Sequence, residues 1–391
     1  MNGKLYFEDA YIKDFEAVVT EVKSDNDSVK IKLDRTAFYP EGGGQPADHG
    51  FLLSDEGKKV MITDVRETDG VIWHFTDSEI LLPGEKVRGC IDWDRRFDHM
   101  QQHSGEHIVS GMICRRFNCD NVGFHLGEDV VTIDFNTRIT YEEALEIEDR
   151  ANRYIWENHP FIQMWPDEHE LNEMEYRSKK ELSGNVRITS FEGADTCACC
   201  GTHVSGSAQV GMVKFISARN FHEGTRLELL CGKRAMEFLS VNHRENKKSA
   251  VLLSSKEGET SGHVKKLIDE NIRLKADAAA LQDRLFEEWA DSCEGYENVI
   301  HIEDQIGNIQ AKDPADLMAG KCSRMAAVFV KNNDRYNYAL INKGADISGF
   351  VREMNQALNG RGGGRNGFAQ GSVSADRNMI EQYFEGYKII G

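Results

Sequence analysis

The sequence predicts an α+β protein built in four parts, and three observations support this architecture. Residues 1–90 consist of short alternating segments broken by Asp and Gly turns, which is typical of a β-barrel-like module. Residues 91–240 mix helical and strand patterns, whereas residues 241–291 are predicted to be a helical linker. Residues 292–391 return to a mixed pattern, which predicts a small C-terminal α/β domain. A chain of 391 residues is also too long for one ordinary core.

In the central domain, helices are predicted at residues 100–116 and 141–158. The second helix carries a start signal, because Thr140 can serve as its N-cap and Glu143 completes a capping box. Strands of this domain are predicted at residues 130–135, 186–191, 213–217 and 226–230.

The linker helix carries a stripe of apolar side chains with the period of a coiled coil. The stripe consists of Val264, Leu267, Leu274, Ala278, Leu281 and Leu285, with Asn271 among them. Intervals of three and four place these side chains on one seam, where a single Asn can pair with its twin and fix the register of a dimer. The pattern therefore predicts a coiled-coil-like helix and a homodimer through residues 264–285. The alternative is an amphipathic helix packed on its own domain.

The C-terminal domain is predicted to contain strands and helices in a mixed order, with a glycine-rich loop at Gly360–Arg365. Such a loop can present backbone N–H groups to a phosphate, and two arginines add positive charge. A flexible connector is the alternative, because the loop lacks the Lys-Ser/Thr ending of a Walker motif. The predicted strands are 299–302, 325–330 and 338–341, and the predicted helices are 347–358 and 376–386.

Composition narrows the class of protein. The chain is 40% hydrophobic and 29% charged and has no apolar run of 18 residues, so we expect a globular protein without a membrane span. Residues 1–10 carry acidic side chains and no apolar signal core. Nine scattered cysteines do not resemble a disulfide framework. We therefore expect a cytoplasmic protein with reduced thiols.

The net charge of −18 argues against a protein that coats nucleic acid by bulk electrostatics. An RNA partner would have to bind to local basic patches. The alternative interpretation of each patch is an ordinary solvated surface. The candidate patch residues are Arg95, Arg96, Lys179, Lys180, Arg361 and Arg365.

Two short strings each resemble half of a metal site. His103 and His107 lie four residues apart, so on a helix both rings face the same side. Cys199 and His203 have the same spacing, in a string where Gly201 favours a tight loop. A histidine pair alone is more often a surface or core pair. Together, however, the two strings supply three imidazoles and a thiolate, the donor set of a tetrahedral zinc site.

A third string lies at residues 36–46. Taken alone, it predicts the end of a strand followed by a glycine-rich turn, with the Gln45 amide as a candidate contact for a ligand. The three strings together closely resemble the editing domain of alanyl-tRNA synthetases and its free-standing relatives, the AlaX-type editing proteins. The resemblance runs from about Arg35 to Ala235. The C-terminal sequence is similar to the glycine-rich domain that ends the synthetases, as in the long form of AlaX.

This resemblance implies a zinc-bearing α+β editing domain that hydrolyses mischarged tRNA(Ala), chiefly Ser-tRNA(Ala), with Gly-tRNA(Ala) as a second candidate. Thr36 would contact the serine hydroxyl, and Gln45 would line the acyl or adenosine pocket. The ligands of one zinc ion per chain would be His103, His107, Cys199 and His203.

One position departs from the family pattern, which is usually Cys-Gly-Gly-Thr-His. Cys200 stands in place of the first of those glycines, so Cys200 and Cys197 remain open as alternative thiolates to Cys199. The role of the metal is also open, because zinc can lower the pKa of a water or hold the amino group of the substrate.

Two other functions fit parts of the sequence. His103-x-x-Glu106-His107 matches the H-x-x-E-H arrangement of zinc peptidases, with Glu106 as general base, but that function does not account for Cys199 and His203. A zinc-stabilised tRNA-binding module without catalysis would use the four ligands as a closed structural site.

Overall fold

The structure is a computed structural model of the chain, and it describes residues 3–25, 28–77, 81–178, 186–306 and 309–390. The chain divides into two compact units, residues 1–248 and 249–391. Each unit is described by itself below. The finer division into four domains stays a prediction.

The first unit begins with a short helix and an antiparallel sheet that nearly closes into a barrel. These elements are α1 (Leu5–Glu8), β1 (Asp14–Asp25), β2 (Ser28–Leu33), β3 (Gly50–Ser54), β4 (Lys59–Ile62), β5 (Asp64–Thr68), β6 (Val71–Thr76) and β7 (Lys86–Ile91). The sheet order is β4-β3-β7-β1-β2-β6-β5, so two strands joined by the single residue Thr63 lie at opposite edges. The Thr63 N–H donates to the Phe75 carbonyl at 3.0 Å and draws the edges together. The predicted β-barrel-like module is thus a near-barrel.

The barrel interior is filled by alternate side chains of its strands. In β4, Val60 and Ile62 are buried, whereas Met61 is exposed. Ile31 and Leu52 are fully buried in the same core. This period-two alternation is the pattern from which the module was predicted.

The rest of the first unit packs a long helix against two further antiparallel sheets. Its elements are α2 (Trp93–Phe117), β8 (Asn121–Leu126), β9 (Val131–Phe135), α3 (Tyr141–Glu157), β10 (Phe161–Met164), α4 (Glu168–Glu173), β11 (Ile188–Phe191), β12 (Asp195–Ala198), β13 (Val213–Phe221), β14 (Gly224–Cys231) and α5 (Gly232–Leu252). The sheet orders are β10-β11-β12 and β13-β14-β9-β8. The capping box predicted at Thr140 and Glu143 is present at the start of α3.

Helix α2 is buried on nearly all sides from His99 to Ile113. It starts at Trp93, earlier than the predicted residue 100, because the Asp92 side chain accepts the Arg95 N–H as an N-cap. Asn118 ends the helix in a left-handed conformation.

The prediction of Arg96 as part of a surface patch is wrong. Its side chain is fully buried in the first turns of α2, where it forms an ion pair with the equally buried Asp48. The sequence shows that Arg96 is charged, but it does not show that Asp48, 48 positions away, is its ion-pair partner. Lys179 and Lys180, two other members of the predicted patches, lie outside the described residues.

The second unit contains a long helix and a mixed sheet of order β18-β19-β17-β16-β15-β20. Strand β15 pairs in parallel with β16 and β20, and the other pairs are antiparallel. Its elements are α6 (Thr260–Asp291), β15 (Asn298–Glu303), α7 (Lys312–Lys321), β16 (Met325–Asn332), β17 (Arg335–Asn342), α8 (Ser348–Ala357), β18 (Arg361–Arg365), β19 (Phe368–Val373), α9 (Arg377–Tyr383) and β20 (Lys388–Ile390).

The segment predicted as a glycine-rich loop is instead the edge strand β18, paired with β19. The physical reason is close approach between the two backbones. A Cβ on Gly364 would lie 1.9 Å from the Phe368 carbonyl oxygen, and a Cβ on Gly362 would lie 2.4 Å from that of Gln370. Glycine at these two positions therefore permits the pairing, and a phosphate-binding role of the segment stays a prediction.

The apolar stripe of α6 is largely exposed in the single chain. Val264, Leu267, Leu274 and Leu281 are exposed, whereas Phe286 and Trp289 near the end of the helix are buried in the core of the second unit. Pairing of α6 into a homodimer stays a prediction. Neither α6 nor any other helix in the described ranges is long and apolar enough to cross a membrane.

Candidate metal centre

Four side chains from the two predicted strings converge in the first unit. Their nearest donor atoms all lie within 4.8 Å of one another, and they belong to His103, His107, Cys199 and His203. The Cys199 Sγ lies 3.4 Å from the Nε2 atoms of both His103 and His203. Ligands of a tetrahedral zinc lie about 3.5 Å apart, given metal–ligand bonds of about 2.0–2.3 Å. The spacing of these atoms fits such an ion.

Helix α2 and a loop present the four donors from two sides. His103 and His107 lie on one face of α2, with ring centroids 5.1 Å apart. Cys199 and His203 come from the irregular segment after β12. A Cβ on Gly201 would lie 2.2 Å from His103 Cε1, so glycine is required here for close approach to a ligand ring. A positive φ is not the reason for this glycine, since Gly201 does not have one.

Hydrogen bonds orient the rings of both helix histidines toward the centre. His103 Nδ1 donates to Gln45 Oε1 at 2.9 Å, an oxygen that also accepts the Thr202 N–H at 3.0 Å. His107 Nδ1 donates to Asp195 Oδ2 at 2.8 Å. An acceptor at each Nδ1 leaves both Nε2 atoms facing the cluster, the position from which a histidine binds a metal.

The third ring and the thiol are also held in place. His203 Nδ1 lies 3.2 Å from Ser104 Oγ, which accepts the Val204 N–H. Burial lowers the pKa of His203 well below its usual value, which favours the neutral ring that binds metals. Burial alone raises the pKa of the Cys199 thiol, but electrostatic interaction with His103, and then with His107, outweighs it and holds that pKa well below its usual value.

The geometry distinguishes the three candidate thiols. Cys199 belongs to the four-residue cluster, whereas Cys197 groups with His107 and Asp195. Burial raises the pKa of the Cys197 thiol, so Cys197 favours the protonated form that binds metal poorly. Cys200 is exposed. Cys199 is therefore the thiolate that the arrangement favours.

Gln45 and Thr36 occupy different positions relative to this centre. Gln45 is fully buried, and its Nε2 donates to Thr202 Oγ1 at 2.8 Å, so its amide links the residues 36–46 string to both ligand strings. The Thr36 hydroxyl lies 2.8 Å from His74 Nε2 and accepts the Phe38 N–H at 3.0 Å. Within the described ranges, none of the four cluster residues is a hydrogen-bond partner of Thr36.

Glu106 is a buried carboxylate beside the cluster. Its Oε1 accepts hydrogen bonds from Ser110 Oγ and Asn121 Nδ2, both at 2.7 Å. Its Oε2 lies 4.0 Å from His107 Nε2. A carboxylate so placed adds negative charge next to the donor atoms.

Comparison with known proteins places this arrangement in a family. Residues 8–95 match the family model described as tRNA synthetases class II (A), and residues 186–252 match the threonyl and alanyl tRNA synthetase second additional domain. The alanyl-tRNA editing protein AlaX-M of Methanosarcina acetivorans is 35% identical over 240 residues, and the chain covers 97% of it. The chain belongs to the alanyl-tRNA editing family.

Other members and relatives of this family match nearly the whole chain. The alanyl-tRNA editing protein AlaX-L of Pyrococcus horikoshii is 27% identical, with 97% of this chain and 96% of that protein covered. The alanine–tRNA ligase of Pyrococcus abyssi is 30% identical over 96% of this chain but only 43% of the ligase. Both alignments therefore extend into the second unit.

Sequence reasoning identified the four cluster residues but missed the residues that hold them. Asp195 and Ser104 contact rings of the cluster, and neither is among the predicted site residues. Asp195 precedes the Cys/His string, and Ser104 lies directly after His103, so proximity to a ligand string was the available signal. A metal-binding histidine almost always donates its other ring N–H to a carboxylate, a backbone carbonyl or a water.

Replacement of Asp195 with Asn is expected to weaken zinc binding about 10- to 100-fold, the usual cost of losing such a partner. The carboxylate accepts from His107 and forms a two-point ion pair with Arg177, at 2.6 and 2.8 Å. Competition with a chromophoric chelator measures the zinc affinity. Asp134→Asn is the matched control, because Asp134 makes the same two-point contact with Arg226 on β9 and β14. Equal zinc affinity in the two variants would contradict the role of Asp195.

Proposed function

We propose that this chain is a trans-editing hydrolase that deacylates mischarged tRNA(Ala), chiefly Ser-tRNA(Ala), with Gly-tRNA(Ala) as a second substrate. The observation that carries the proposal is the convergence of three imidazoles and a thiol in a member of the alanyl-tRNA editing family. Two relatives are named alanyl-tRNA editing proteins, and the four donor atoms all belong to residues of this chain.

The proposed cofactor is one zinc ion per chain, held by His103, His107, Cys199 and His203. Zinc bound there would supply positive charge that polarises an ester carbonyl, lowers the pKa of a water or holds an amino group. The chain itself contributes fixed geometry. Gln45 and Asp195 keep the histidine rings in place, and burial of the cluster limits access of bulk water.

Thr36 is the proposed contact of the serine hydroxyl, as the family resemblance implies. Burial lowers the pKa of His74 to about 4, so its ring is neutral. His74 Nδ1 donates to the Ile31 carbonyl, and its Nε2 accepts the Thr36 hydroxyl proton. The Thr36 oxygen also accepts the Phe38 N–H, which leaves it one lone pair for a substrate hydroxyl.

Replacement of Thr36 with Val is expected to lower the ratio of serine to alanine release by about tenfold or more, with zinc still bound. Alanine lacks the hydroxyl that the site would bond, and a site built for a hydroxyl discriminates by such contacts. Rates of release from Ser-tRNA(Ala) and Ala-tRNA(Ala) measure the ratio. Thr36→Ser keeps the hydroxyl and serves as the control. An unchanged ratio in a folded Thr36→Val protein would remove Thr36 from this role.

The function itself is tested by release of amino acid from Ser-tRNA(Ala), Gly-tRNA(Ala) and Ala-tRNA(Ala). We expect rapid release of serine, slower or comparable release of glycine, and alanine spared. Absence of release from all three would contradict the proposal.

A second candidate function is a zinc-stabilised tRNA-binding module without catalysis. The observation in its favour is that four protein donors can close the coordination sphere, as in structural zinc sites. Such a module would bind tRNA(Ala) without releasing the amino acid, and removal of zinc would unfold it.

Glu106 also preserves the motif of a zinc peptidase, but Cys199 and His203 fill the positions that a peptidase leaves to water and a distant carboxylate.

A further inference from the structure

The backbone that carries the candidate thiolate has no helix or strand ladder to hold it. Residues 199–204 follow β12 and belong to neither a helix nor a strand, so their buried carbonyl oxygens need other partners. The carbonyl oxygens of Cys199 and Gly201 both accept hydrogen bonds from Arg187 Nη1, at 3.2 and 2.7 Å. The Cys199 N–H donates in turn to the Arg187 carbonyl at 3.2 Å. Arg187 therefore holds this segment with both its side chain and its backbone.

Arg187 is itself held firmly. It is buried and lies directly before β11, next to Gln163 on the neighbouring strand β10. Gln163 Oε1 accepts hydrogen bonds from Arg187 Nε at 3.0 Å and from its Nη2 at 2.6 Å. Gln163 Nε2 donates to the Phe7 carbonyl at 3.0 Å. The guanidinium carbon lies 5.2 Å from the ring centroid of Phe7 and 6.0 Å from that of Phe161. These contacts fix the donor that holds the 199–204 segment.

The guanidinium charge lies in the core on neutral acceptors. Among the residues that the structure describes, the oxygens that accept its hydrogen bonds belong to Cys199, Gly201 and Gln163. A buried cation is costly unless a compensating group lies near it. Burial lowers the pKa of Arg187, and interaction with the Cys199 sulfur opposes that shift more than any other group does. The charge on Arg187 therefore matches a thiolate at Cys199.

Gly201 connects the two ends of this arrangement. Its N–H donates to Cys199 Sγ at 3.3 Å, and its carbonyl accepts from Arg187 Nη1. The same residue packs against the ring of His103, where a Cβ would lie 2.2 Å from Cε1. A segment packed so closely cannot move without moving the sulfur relative to that ring. Only the planar fork of an arginine can bond several separate oxygens at once, since a lysine presents a single charged atom.

We propose that Arg187 is a positioning residue of the metal centre, which places the Cys199 thiolate by bonding the backbone carbonyls of Cys199 and Gly201. The inference rests on the proposed function, because it takes the zinc site of that function as given. Arg187 acts through the backbone of the ligand segment, whereas Gln45 and Asp195 act through histidine rings.

The test is zinc titration and cobalt substitution of the full chain. Cobalt(II) bound by a thiolate has an intense charge-transfer absorption that histidine ligands alone do not give. Arg187→Gln is expected to raise the Kd for zinc about 10- to 100-fold, the usual cost of losing a residue that supports a ligand, and to weaken the thiolate band of the cobalt complex. Arg187→Lys keeps the charge but not the fork, so it should resemble Arg187→Gln. Cys199→Ala provides the spectrum without the thiolate.

Arg138→Gln is the matched control. The Arg138 guanidinium also donates to two backbone carbonyls, those of Gly224 at 3.0 Å and His222 at 3.3 Å, but neither residue belongs to the cluster. This variant should keep the wild-type Kd and band. Gln163→Ala removes the acceptor that fixes the guanidinium and should raise the Kd for zinc by a smaller factor than Arg187→Gln. It keeps the inference testable should the Arg187 variant fail to fold.

The outcomes separate the positioning role from the function. A wild-type Kd and an unchanged band in folded Arg187→Gln protein would overturn the role, as would a wild-type cobalt complex without a thiolate band. Serine release from Ser-tRNA(Ala) by the wild type in either case would leave the proposed function standing. Conversely, a raised Kd and a weakened band in the variant, without any release by the wild type, would support the role and remove the hydrolase function.

Discussion

The double variant His103→Ala/His107→Ala is expected to hold no zinc, whereas the wild-type chain is expected to bind one ion. Two of the four donors are lost, and the remaining thiolate and imidazole cannot fill a tetrahedral sphere. Serine release from Ser-tRNA(Ala) should fall by at least about 100-fold, since loss of even one supporting partner often costs 10- to 100-fold. Metal content per chain after gel filtration is the primary measurement.

His99→Ala is the matched control for this variant. His99 lies one turn before His103 on α2 and is equally buried, but it does not belong to the cluster. The control should keep one zinc per chain. Zinc retained at one per chain by the double variant would contradict the ligand assignment. Loss of zinc from the His99 variant as well would point to general disruption of α2.

Replacement of Asp48 with Ala is expected to destabilise the first unit by about 3–5 kcal/mol, the usual cost of removing one partner of a buried ion pair. The Arg96 guanidinium would remain buried with its charge uncompensated. Its Nε donates to both oxygens of Asp48, at 2.9 and 3.0 Å, and its Nη2 donates to the Ala37 carbonyl at 2.6 Å. Asp48 Oδ2 also accepts the Tyr39 N–H at 2.6 Å. The pair thus anchors the residues 36–46 string to α2.

Urea denaturation measures this change in the free energy of unfolding. Asp134→Ala is the control, since the Asp134–Arg226 pair is partly exposed and such pairs contribute at most about 1 kcal/mol. A cost for Asp48→Ala no greater than that of the control would refute the anchoring role. The double variant Asp48→Leu/Arg96→Met should recover much of the lost stability, because it removes both charges.

The features that the sequence predicted well are local ones. The capping box at Thr140 and Glu143 and the histidine pair His103 and His107 depend on spacings of three and four residues, which a helix fixes. The four-residue spacing to His203 favours Cys199 as the thiolate but leaves Cys197 and Cys200 open, and the geometry then favours Cys199.

The features that the sequence did not predict depend on distant partners. Arg96 and Asp48 are individually ordinary charged residues, and only the fold places both in the core. The glycines of β18 indicate a loop by their propensity, but close approach of Gly362 to Gly371 and of Gly364 to Ala369 requires glycine at those two positions of the strand. The role of Gln45 is similar, because its contacts with His103 and Thr202 join segments far apart in the chain.

The most direct test of the central claim is the rate of serine release from Ser-tRNA(Ala) as zinc is added back to metal-free protein of confirmed fold. Zinc-dependent editing predicts a rate that rises with bound zinc and levels off at one ion per chain. Full release by the metal-free protein would contradict it.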